Sequence, residues 1–189
     1  EIRSQPLTVA AGRVLALAQQ STVAVPPLDN SSMDGYAVRA SDVTAAGVCL
    51  PVCQRIPAGT VGTTLQPGTA ARIFTGAPVP AGADAVVMQE LCAHGDCGVV
   101  INHVPHADEN IRRAGEDIAV GTEILRPGIK LRPQDIALAA SAGLPDLPVY
   151  RRVRVGVFFT GDELVQPGEP LPPGAIYNSN RYALRALLE

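Results

Sequence analysis

The chain has 189 residues, enough to bury a sizeable core as one large domain or two small ones. Its 47% hydrophobic content is ordinary, whereas 17% charged residues, 18 glycines and 17 prolines describe short segments cut by many corners. A net charge of −3 and the absence of any Lys/Arg run exclude a phosphate-backbone binder, so nucleic acid is not expected as a partner.

No apolar stretch approaches the roughly 20 residues that cross a bilayer, so no membrane association is expected. The opening EIRSQPLTVAAGRVLALAQQ lacks the basic flank and cleavage signal of secretion, and the expected location is the cytoplasm. In that compartment Cys49, Cys53, Cys92 and Cys97 are expected as free thiols. Cys92, His94, Cys97, His103 and His106 match no zinc-ligand spacing.

In chain order, a short helical turn near Thr8–Ala11 is closed by Gly12, and Arg13–Ala18 reads as strand, with helix as the alternative. From about residue 21 to 121, short apolar runs (Val23–Val25, Gly35–Val38, Ala71–Phe74, Ala85–Met88, Val99–Val104) alternate with Pro/Gly corners, the pattern of a small barrel or sandwich. Next, Glu123–Leu125 and Ile129–Leu131 flank a Pro127-Gly128 turn, and Pro133 opens a helix ending at Gly143. Val153–Phe159 is a near-continuous β-branched and aromatic run, as in a strand covered on both faces. A Pro/Gly loop then leads to Tyr177-Asn178-Ser179-Asn180, which can cap a helix over Arg181–Leu188. The last segment thus reads as β-loop-α, the opening of an α/β sheet.

DNSSMDGYAV, residues 29–38, is a polar knot that reads either as turn chemistry or as a ligand site. Three acidic clusters sit in glycine-containing loops: Asp34 in MDGYAV, Glu116-Asp117 in NIRRAGEDI, and Asp162-Glu163 in TGDEL. Oxygen-rich loops suit a hard cation such as Mg2+, which takes one or two carboxylates with phosphate oxygens and water. Arg112 and Arg113 can fork onto an anion, and Thr75-Gly76 offers a hydroxyl and backbone amides. Each feature also has a plain structural reading, as a turn or a solvated pair. Neither a P-loop, a dinucleotide fingerprint nor a nucleophile elbow is present.

Taken in order, PPLDNSSMDGYAV, RIFTGAPVPAGADAVVMQE, NIRRAGEDI, RVGVFFTGDEL and IYNSNRYAL resemble the molybdopterin molybdenumtransferase family, the MoeA type that also includes the gephyrin E-domain. The resemblance implies insertion of molybdate into adenylated molybdopterin, with Mg2+, releasing AMP and molybdenum cofactor. It implies a multidomain, mixed fold: a discontinuous α+β linker domain (1–20 and 122–149), a β-rich inserted domain (21–121), and the start of an α/β molybdopterin-binding domain (150–189). It also implies a homodimer with a composite site, where Asp34, Thr75 and Asp117 face a partner's Glu163. Other cofactor-synthesis proteins are possible partners.

Carried over position by position, Asp34, Thr75, Asp117 and Glu163 are the expected catalytic residues. Thr75, Gly76, Arg112, Thr160 and Gly161 are expected to touch substrate, and Glu163 with Asp162 to hold Mg2+. Two departures stand out. Phe159 replaces a small hydroxyl residue before Thr-Gly-Asp-Glu, and the family's later GGVS, KPGKP-like and GLPGNP loops have no counterpart. The chain is therefore expected to be an N-terminal half, inactive alone. The alternative is a scaffold or receptor-clustering module of the gephyrin type, which uses the same fold for binding.

Overall fold

The computed structural model of the chain describes residues 1–188, which form two compact units, one over Glu1–Tyr150 and one from Arg151 onward. Among the described residues the architecture is β-rich, with short mixed sheets and few helices.

In the first unit the two ends of the sequence close on each other. Ile2–Pro6 pairs antiparallel with Asp146–Tyr150, and helix α1 (Leu7–Ala10) and helix α2 (Pro133–Ser141) pack beside them. Their shared core is Ala10, Leu15, Leu125, Leu131, Ala139, Leu147 and Val149. Helix α2 starts on Pro133, whose missing N–H costs nothing in the first turn, and Asp135 accepts the Arg132 N–H at 2.8 Å. It ends at a left-handed Gly143 (φ 77°), with Gly143 N donating to Ala140 O and Leu144 N to Ala139 O. That double closure satisfies the last carbonyls and stops the helix.

Arg13–Ala18 is not a continuous strand. Val14 and Leu15 make single bridges to Lys130 and Val149, because this stretch crosses between two partners instead of following one. For the same reason Ile129–Leu131 pairs back on residues 13–15, not on Glu123–Leu125, which pairs with Gln19–Gln20.

The rest of this unit is built on a four-stranded sheet in the order Val52–Ile56, Ala70–Ile73, Gly35–Val38, Ala85–Met88. Gly35–Val38, Ala70–Ile73 and Ala85–Met88 are largely buried on both faces, whereas Val52, Cys53 and Arg55 of the edge strand are exposed. Tyr36, Val38, Ala70, Ala85 and Val87 meet Leu50, Val99 and Ile101 of a three-stranded sheet, while Ala37, Ala71, Ile73 and Val86 pack on Leu65, Ala77 and Ile111. The period of two explains why adjacent residues of one strand enter different cores. Gly35 lies so close to Val87 that a Cβ there would overlap the Val87 carbonyl, so the glycine in MDGYAV is a packing requirement.

In the three-stranded sheet, Cys92–Gly95 and Gly98–Ile101 form a hairpin joined by Asp96-Cys97, and Gly98–Ile101 also pairs with Val48–Leu50. This register overturns the expectation of four free thiols. Cys49 and Cys97 form a disulfide with their Cα atoms 6.2 Å apart, and only Cys53 and Cys92 are free. The separation lies within the range a disulfide spans.

The second unit departs from the sequence reading most. Val153–Phe159 forms no strand, and Val153 (83%) and Phe158 (86%) are largely exposed. A strand exists only by pairing, and no described segment pairs with this one. The regular structure of this unit is a short parallel pair, Leu164–Val165 with Ile176–Tyr177, followed by helix α3 (Ser179–Leu188). Asn178 caps α3, its Oδ1 accepting the Arg181 N–H at 3.2 Å. No described helix is long and apolar enough to cross a membrane.

Candidate active site

The polar knot at residues 29–38 is where separate loops of the first unit are tied together. Asn30–Ser31 pairs with Ile111–Arg112, bringing NIRRAGEDI alongside, while Ser31 N donates to Ala77 O and Gly76 N to Ser31 O, bringing FTGAP alongside. Ser31 is 1% exposed, and its hydroxyl closes the turn by donating to Met33 O at 2.5 Å. The turn reading of the knot therefore holds. The knot is a set of turns, and those turns assemble a cluster of functional groups.

At its centre Asp34 Oδ1 accepts two hydrogen bonds from Thr75, from the backbone N–H at 2.8 Å and from Oγ1–H at 2.7 Å. These two bonds, the backbone one first, hold the Asp34 carboxyl below its ordinary pKa, with the Arg72 charge assisting. Asp34 is thus a firmly ionised carboxylate with Oδ1 engaged and Oδ2 presented. The Thr75 hydroxyl, donating its hydrogen bond to Asp34, offers only lone pairs outward.

The donors expected for an anion are largely used within the fold. The Thr75 and Gly76 amides bind Asp34 and Ser31. Arg112 Nη2 donates to both oxygens of Asp117 at 2.6 Å, with Glu116 at 3.9 Å, and these bonds raise the Arg112 pKa. Asp117 and Arg112, expected in separate roles, are thus brought together as a pair.

One feature escaped the sequence reading. Asp29 ion-pairs with Arg113, which also meets Asp108, and Asp29 Oδ1 accepts the Ala114 N–H at 2.8 Å. The Ala114 bond first, then Arg113, keeps the Asp29 pKa low. This clamp fixes the NIRRAGEDI loop to the knot. Its signal lay in the turn-forming Asp108 and Asn110, which adopt positive φ of 70° and 53°.

Thr160, Gly161, Asp162 and Glu163 lie in the second unit on an exposed turn closed by Leu164 N donating to Gly161 O at 3.1 Å. The Glu163 carboxylate folds back onto Gly161, where a Cβ would strike it. Asp162 and Glu163 carry no ion pair among the described residues, so two hard oxygen donors are available there. No group of three or more His, Cys, Asp or Glu among the described residues is placed to hold a metal ion.

Residues 1–143 match the family model described as the MoeA N-terminal region (domain I and II). The chain belongs to this family. It is 49% identical over 186 residues to molybdopterin molybdenumtransferase 2 of Mycobacterium tuberculosis, covering 96% of this chain and 46% of that protein. It is 46% identical to the molybdopterin molybdenumtransferase of a Nostoc species, covering 97% of this chain and 43% of that protein. The solved structure of the molybdopterin biosynthesis MoeA protein from Pyrococcus horikoshii superposes with a TM-score of 0.89 at 34% identity, covering all of this chain and 52% of its own. The chain spans about half the length of the curated MoeA relatives it matches. Over residues 1–143 the fold above is thus that of a MoeA N-terminal region.

Proposed function

We propose that this chain is the N-terminal part of a molybdopterin molybdenumtransferase, which inserts molybdate into adenylated molybdopterin and releases AMP. The observation that carries the proposal is the Asp34–Thr75 pair, assembled by three loops in a chain of the MoeA N-terminal family. A carboxylate held ionised, with one oxygen anchored and one presented beside a lone-pair-bearing hydroxyl, orients a water or a hydroxylated oxyanion. The names of the relatives support molybdopterin and molybdate as substrates.

In this reading Asp34, Thr75, Asp117 and Glu163 act on the reacting groups, and Gly76, Arg112, Thr160 and Gly161 contact substrate. Arg112 exchanges part of its hold on Asp117 for a substrate oxygen. The TGDE carboxylates have the donor chemistry for Mg2+, with Glu163 and Asp162 as ligands. When bound, the ion neutralises charge on substrate phosphate. Residues 1–20 with 122–149 act as a linker domain, 21–121 as an inserted β-rich domain, and the segment from 150 as the start of an α/β molybdopterin-binding domain. Two copies complete the site, with Glu163 of one facing Asp34 of the other, in the cytoplasm.

The test is AMP release by the complete parent protein supplied with adenylated molybdopterin, molybdate and Mg2+. Glu163→Gln should raise the Mg2+ concentration needed for half-maximal rate while leaving the fold intact. Absence of AMP release from the parent, or an unchanged Mg2+ requirement in the variant, contradicts the corresponding part of the proposal.

A further inference from the structure

The first unit carries a cleft of about 810 Å3 beside the four-stranded sheet, lined by Arg55, Arg72, Gln89, Cys92 and His94 among others, and none of its lining residues is acidic. In a chain of net charge −3 this is an unusual concentration of cations. The two arginines share one aromatic ring, each guanidinium carbon lying 4.5 Å from the Phe74 centroid, and Arg72 also lies 5.2 Å from the Tyr36 ring.

Stacking fixes the guanidinium planes without neutralising them. Arg72 is further fixed by neutral acceptors, Nη1 donating to Gly35 O at 2.8 Å and Nη2 to Gln89 Oε1 at 2.6 Å. Arg55 has neither a carboxylate nor a hydrogen-bond acceptor among the described residues, so its whole donor fork is unused. The neighbouring Glu90 accepts from Gln89 Nε2 at 3.1 Å and lies outside the lining. Cys92 adds no negative charge, because burial pushes its thiol up to about 11. Two pre-oriented positive charges on a cleft with no acidic lining residue favour an anion, and the planar fork of arginine matches tetrahedral oxyanions.

We infer that this cleft binds a small phosphomonoester, with Arg55 as its principal phosphate ligand and Arg72 as the second. The volume falls in the range of small-molecule sites, leaving room for the organic part of the ligand behind the phosphate. Asp34 and Thr75 do not line this cleft, although the Arg72 charge reaches Asp34, and the inference stands whether or not the parent inserts molybdate.

Calorimetric titration of this chain with AMP, inorganic phosphate and adenosine tests it. AMP should bind with a dissociation constant at or below ~1 mM, inorganic phosphate more weakly, and adenosine not at all. Arg55→Gln should weaken AMP binding about tenfold or more, as loss of a charge-assisted contact does. Arg55→Lys, which keeps the charge and loses the fork, should fall between. Arg126→Gln, which removes a like charge elsewhere on the surface, should change nothing. Arg55 is exposed, so its substitution should leave the circular dichroism spectrum intact. Phosphate binding as tight as AMP would overturn the assignment to a phosphomonoester. No AMP binding up to ~10 mM, or equal effects of the Arg55 and Arg126 variants, would overturn the site itself.

Discussion

Thr75 holds Asp34 twice at the same oxygen, through its backbone N–H at 2.8 Å and its hydroxyl at 2.7 Å. Because both bonds favour the ionised carboxyl, the native pKa of Asp34 lies below the ordinary value for an aspartate. The resulting stabilisation is present above that value and is lost as pH falls through the lower native pKa. Thr75→Val removes the hydroxyl bond and leaves the backbone one. Carboxyl-detected NMR titration should therefore show the Asp34 pKa rising part of the way toward its ordinary value, and an unmoved pKa would show that the hydroxyl does not hold the carboxylate.

Cys49 and Cys97 are separated by 48 residues, so their disulfide closes a long loop around the hairpin of Cys92–Ile101. Loop-closure entropy assigns such a bridge about 4 kcal/mol. Oxidised protein, denatured without reductant, should show two reactive thiols per chain, Cys53 and Cys92, and four after reduction. Cys49→Ser should lower the thermal midpoint relative to the oxidised protein. Four thiols before reduction in air-oxidised protein would contradict the pairing.

How much could be read from residues alone depended on whether a feature is local. Gly35–Val38 and Ala85–Met88 were legible to the residue, because each is a four-residue apolar run bounded by turn formers and buried on both faces. Helix α2 was legible through Pro133 and Gly143, which mark its two ends by their own backbone chemistry. Val153–Phe159 has an equally strong apolar pattern, yet strand formation is a property of a pair, and a pattern cannot report whether a partner is present. The Cys49–Cys97 bridge and the Asp29–Arg113 clamp, 84 residues apart in sequence, depend on sheet register and loop return, which no spacing rule encodes. The site motifs were found by resemblance. Their mutual bonds, such as Asp117 with Arg112, came from the fold.

Among the described residues, backbone N–H groups from 152 to 160 donate no hydrogen bond to another backbone group, whereas Gly35–Val38 is paired on both edges. Amide exchange in this chain should therefore be fast across Val153–Phe159 and slowest in Gly35–Val38 and Ala85–Met88. Limited proteolysis should cut first between residues 151 and 160. Slow exchange throughout Val153–Phe159 in the isolated monomer would contradict the unpaired state of that segment.

In the proposed function Asp34, fixed by Thr75, serves the molybdate-insertion step. That role is tested most directly by AMP release from the complete parent protein carrying Asp34→Asn, which keeps size and hydrogen bonding but removes the charge. The account predicts a fall in turnover of about 10²-fold or more with an unchanged circular dichroism spectrum, the scale typical of losing a positioned acid–base group. Turnover equal to that of the unsubstituted parent would contradict it.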